Sequence, residues 1–73
     1  MKLTANKGVI VIEGREGERA KIEEVAARMV DIDDELVGDS EGVECGEYWL
    51  TLGYNPSYLT VKEVRQIYKT AKK

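Results

Sequence analysis

Seventy-three residues, 42% hydrophobic and 34% charged, suffice for one small globular domain and are too few for two. No apolar run approaches the ~20 residues that a transmembrane helix needs. The chain has no histidine and one cysteine, which removes histidine general bases, Cys/His zinc sites and an intrachain disulfide.

Residues 2–5 read as a short strand, and Asn6-Lys7-Gly8 as a tight turn before the β-branched run Val9-Ile10-Val11-Ile12, together a β-hairpin. Gly14-Arg15-Glu16-Gly17 breaks that strand. From Glu18 the apolar spacing changes to Ile22, Val25, Ala26 and Met29, one face of an amphipathic helix with an acidic first turn (Glu16, Glu18) and an expected end near Val30. Gly38-Asp39-Ser40-Glu41-Gly42 has loop composition, and residues 43–45 and 47–54 read as a second hairpin turning near Gly46. After the turn cluster Gly53-Tyr54-Asn55-Pro56-Ser57, Thr60 and Glu63 form a capping box, and Leu59 and Val64 occupy the two positions of a hydrophobic staple. These mark the start of a last helix with the apolar stripe Val61, Val64, Ile67, Tyr68 and Ala71, while Lys62, Arg65, Lys69 and Lys72 lie around its other faces. Residues 69–73 are expected to be a frayed basic tail.

The order strand, strand, helix, strand, strand, helix predicts an α+β fold with a mostly antiparallel sheet. Each helix has one apolar stripe, so both pack on one sheet face and leave the other partly open. Alternation allows two registers. In one, Ile10, Ile12, Tyr48, Leu50 and Leu52 face the helices, and Val9, Val11, Glu13, Glu47, Trp49 and Thr51 face away, making a patch of the kind that marks interaction sites. In the other, Trp49 is in the core.

The net charge of −3 is unevenly placed. Residues 1–28 carry +1, residues 29–61 carry −8 without a single Lys or Arg, and residues 62–73 carry +4. The acidic third either faces water, pairs with the basic C-terminus, or meets a basic partner. Gly14-Arg15-Glu16-Gly17 has the GxxG form of a KH-domain loop, but that loop joins two helices, where a strand precedes this one. The tetrapeptide also lacks the Gly-Lys-Ser/Thr ending of a P-loop. Cys45 stands among Glu44 and Glu47, which would suppress its thiolate, so a buried or half-buried structural role is expected. Asp31, Asp33 and Glu35 do not keep the spacing of a calcium loop. Nothing in the sequence supplies catalytic equipment, and no cofactor or metal is expected.

The remaining reading is a binding module that acts by occupying a protein partner. Its candidate contacts are the acidic residues Glu13, Asp31, Asp33, Asp34, Glu35, Asp39, Glu41, Glu44 and Glu47, with Trp49 and Val11 as a desolvated anchor. From Met1 through the acidic stretch to Lys69-Thr70-Ala71-Lys72-Lys73, the chain resembles in size and character the small regulators of host RNA polymerase encoded by lytic phages, including Xanthomonas-infecting ones. That resemblance implies binding to the large, catalytic-subunit part of bacterial RNA polymerase, inhibition of initiation and altered termination. Two alternatives stand beside it. One is a small KH-like nucleic-acid-binding protein using Arg15, Arg19, Lys21 and the last helix; the other is an acidic nucleic-acid mimic that blocks a host defence enzyme. The amino terminus lacks the apolar core of a secretory signal, and with the lone thiol this predicts a cytoplasmic location.

Overall fold

Two-residue turns set the register of both hairpins in the computed structural model, which describes all 73 residues. Strand β1 (Lys2–Asn6) turns into β2 (Val9–Arg15) through Lys7 and Gly8, and β3 (Val37–Glu44) into β4 (Glu47–Gly53) through Cys45 and Gly46. All four turn residues have positive φ, from 48° at Lys7 to 87° at Gly8. This is the type I′ geometry whose twist matches that of antiparallel strands, and Gly46 takes it without steric cost. The strands form one antiparallel sheet in the order β1-β2-β4-β3.

A 3-10 turn, Glu16–Glu18, leads from β2 into helix α1 (Arg19–Ile32), and the chain ends with helix α2 (Val61–Ala71). The Glu18 carboxylate accepts the Arg15 backbone N–H at 3.1 Å and the Met1 ammonium at 3.2 Å. Chiefly the first of these, then the second, holds its pKa below the ordinary carboxylate value. Helix α1 packs on β2 and β4, and α2 on β1 and on α1. Their stripes meet Ile10, Ile12, Tyr48 and Leu52 in a core that contains Ile22, Met29 and Val64 and no buried charged residue. The register with Trp49 outside the core is therefore the one adopted.

The strand-strand-helix-strand-strand-helix order is as expected, but four details differ. Strand β2 continues through Gly14 to Arg15, so the GxxG tetrapeptide joins a strand to a helix. Helix α1 passes Val30 to Ile32 and stops where Asp33 turns extended and its carboxylate accepts the Glu35 N–H at 3.0 Å. Residues 38–42 form most of β3 instead of a loop. The partner strand β4 satisfies their backbone, and Asp39 is accommodated as a bulge between Gly38 and Ser40. Residues 69–71 are helical, and Ala71 is buried.

The start of α2 follows its sequence signals. Thr60 Oγ1 accepts the Glu63 N–H at 3.2 Å, Glu63 returns a carboxylate oxygen to the Thr60 N–H at 3.1 Å, and Leu59 and Val64 are both buried. Thr60→Ala is expected to cost about 1 kcal/mol. For a domain of this size that lowers the thermal midpoint by about 4–8 °C, and an unchanged calorimetric melt would rule the cap out as a source of stability.

Candidate docking surface

With both helices on one side, the other face of the sheet has no covering layer, and strand pairing orders its side chains into rows. Lys2, Glu13, Trp49 and Gly42 form one row; Thr4, Val11, Thr51 and Ser40 the next; Asn6, Val9, Gly53 and Val37 the third. Arg15, Glu47 and Glu44 close the face at the β3–β4 turn.

Trp49 is half-buried there because it folds down on Gly42. A Cβ at Gly42 would stand 2.5 Å from the indole Cζ2 and 2.8 Å from Cε2, closer than any side chain permits. The backbone of Gly42 has no positive φ, so the glycine serves the indole and not a turn. Beside it, Thr51 Oγ1 accepts the Ser40 N–H at 3.0 Å and lies 2.8 Å from Ser40 Oγ, which fixes the bulge of the edge strand. Val9 is 43% and Val37 61% exposed, so an apolar strip runs from Trp49 past Val11 toward the far end of the sheet.

The two helices do not extend over β3, and a groove of about 430 Å³ opens between it and α1 on the helix side. Ala26, Val30 and Leu50 line this groove together with Glu23, Asp39 and Glu41. The acidic edge strand thus has apolar surface on both of its sides.

Of the residues expected to contact a partner, the open face brings together Val11, Glu13, Glu44, Glu47 and Trp49, with Asp39 at the bulge beside Thr51. Glu41 lies on the helix side, where it accepts the Tyr48 hydroxyl at 2.7 Å and pairs with Arg19 at 3.3 Å. Asp31, Asp33, Asp34 and Glu35 lie at the end of α1 and in the turn after it, away from the sheet face. Val37 and Gly42 were hidden from sequence reasoning by the loop-like composition around them.

Internal pairing of the acidic third with the C-terminal helix does not occur. The one ion pair made by residues 29–61 is Glu41 with Arg19, and no cation of α2 takes part in any. Arg19 also pairs with Glu23 at 3.5 Å and stands 5.2 Å over the Tyr48 ring, so it is not free to join Arg15 and Lys21 in a basic cluster. Arg28 pairs with Glu24 and donates to the carbonyls of Ala71 and Lys73, tying α2 to α1. Cys45, expected to be at least half-buried, is exposed, because a two-residue turn gives its side chain nothing to pack against. No three His, Cys, Asp or Glu residues converge as a metal site, and no helix is long and apolar enough to cross a membrane. No protein-family model matches the chain, and neither a curated protein nor a solved structure is significantly similar to it.

Proposed function

We propose that the protein is a small protein-binding module that docks through its open sheet face and acidic β3 edge onto a basic surface, and that the partner is the large subunit of bacterial RNA polymerase. Occupying that surface inhibits initiation and alters termination. The choice of polymerase rests on the resemblance in size and charge placement. The docking mode rests on one observation: an uncovered sheet face with a tryptophan seated on a glycine, accompanied by exposed valines and edged by Glu13, Glu44 and Glu47, none of which is in an ion pair. A small apolar anchor within a charged rim is how protein interfaces concentrate their energy.

The β3–β4 hairpin supports this further. Glu44 and Glu47 are direct cross-strand partners, an arrangement that works against the folded state. A basic partner relieves that repulsion. Replacing both by glutamine is therefore expected to raise the melting temperature slightly while slowing association. In the unsubstituted protein, the association rate with core polymerase is expected to fall about tenfold or more between low and high salt, with dissociation little changed. Biosensor kinetics on immobilised polymerase read both rates; a salt-independent on-rate, or no binding, would sink the proposal.

A further inference from the structure

We infer that the outer flank of α2 is a second binding surface, separate from the docking face, that takes the phosphodiester backbone of a single nucleic-acid strand. Lys62, Arg65, Lys69 and Lys72 follow one another at intervals of three, four and three residues, which puts them in single file along one side of the helix over about 15 Å. All four are exposed. The side of α2 that faces α1 is a different one. There Glu63, Gln66 and Thr70, with Ile32 and Asp33 from the end of α1, line a hollow of about 320 Å³ between the helices.

The cation file therefore stands on the flank away from α1, on the side of β1, which α2 covers. None of these lysines and arginines is in an ion pair, whereas Arg19 and Arg28 are both paired. Lys72 is steadied by the Tyr68 ring, 4.9 Å from its ammonium. The acidic edge is the opposite margin of the sheet, since β2 and β4 separate β1 from β3. The chain's own carboxylates thus leave this flank positive despite the net charge of −3.

A single file suits one strand. A duplex presents a second row of phosphates, for which α2 offers no second file of cations. Contacts from these cations to phosphate oxygens carry no sequence information, so binding through them depends on charge and not on base sequence or the 2′-hydroxyl.

The test is fluorescence anisotropy with labelled single-stranded RNA, single-stranded DNA of the same sequence, and the DNA duplex, using the whole protein. Four phosphate contacts predict a salt slope of about −2.8 for a single strand, or a loss of about 50-fold between about 50 and 200 mM salt. The double variant Arg65→Gln, Lys69→Gln is expected to halve the slope, leaving a loss of about sevenfold over the same range, with an unchanged circular dichroism spectrum. RNA and DNA strands should bind alike, and Trp49→Ala should bind them as the unsubstituted protein does. Absence of binding at low salt, an unaltered slope in the double variant, or preference for the duplex would each overturn the inference.

Discussion

Trp49→Ala is expected to reduce affinity for polymerase by about 30-fold or more, the effect of losing a central aromatic anchor worth at least ~2 kcal/mol. Truncation alone does not separate the indole's contacts from its placement. Gly42→Ala does. The added methyl occupies the space 2.5 Å from Cζ2, so the indole must lift off the edge strand while the tryptophan itself is retained. The backbone at Gly42 suits any residue, and an alanine in a strand is tolerated, so the fold persists. Both variants are therefore expected to lose docking by comparable factors. Trp49 is the only tryptophan, so its emission reports the change directly: Gly42→Ala shifts the maximum to the red as the ring enters water. Unchanged affinity in Trp49→Ala would remove the anchor from the docking mechanism. Unchanged emission in Gly42→Ala would show that the glycine does not seat the ring.

How far the sequence disclosed this surface depends on which physical signal each part carries. The helices were legible because apolar spacing and capping chemistry are local: Thr60 with Glu63 and Leu59 with Val64 act within one turn, whatever the rest of the chain does. The assignment of sheet faces needed one piece of non-local information. Alternation gives two equivalent answers, and the choice comes from burying Ile10, Ile12, Tyr48 and Leu52 together against two helix stripes. Of strand β3 only the end at Val43 and Glu44, with the turn at Gly46, was legible. Gly38, Asp39, Ser40 and Gly42 have poor strand propensity, and they are extended because β4 supplies their hydrogen bonds and Thr51 holds their bulge. Since β3 forms one edge of the candidate docking surface, Val37 and Gly42 could not be found from composition. The charge pattern survived better in placement than in pairing. The acidic β3 edge and the basic flank of α2 lie toward opposite margins of the sheet, and even Asp33, which lines the hollow beside α2, makes no ion pair with that helix.

Tyr48 is the residue whose loss is expected to damage the fold most. Its ring is fully buried, its hydroxyl donates to Glu41 at 2.7 Å, and the Arg19 guanidinium lies over it, so one side chain joins β4 to the edge strand and to α1. Tyr48→Ala is expected to cost about 3–5 kcal/mol through lost burial and the cavity left behind. Total stability for a domain of this length is roughly 4–11 kcal/mol, so the variant should be largely unfolded well below the normal melting temperature. Tyr48→Phe keeps the ring and loses a charge-assisted hydrogen bond, for about 1–2 kcal/mol. Alkaline pH tests the same contact independently. Burial, then the hydrogen bond to Glu41, then the charges of Glu41 and Glu23 push the Tyr48 phenol up to about 12, with Arg19 opposing. The folded chain therefore keeps this proton when the unfolded chain, with a phenol pKa near ~10, has lost it. Its contribution is complete below pH ~10 and disappears as the pH rises toward 12. Chemical denaturation across that window should show stability falling with pH, with a shallower fall in Tyr48→Phe. The remainder belongs to Tyr68, whose pKa burial also raises. Equal slopes in the two proteins would mean that the Tyr48 hydroxyl is not held by Glu41, and the tie between the core and the acidic edge would have to be placed elsewhere.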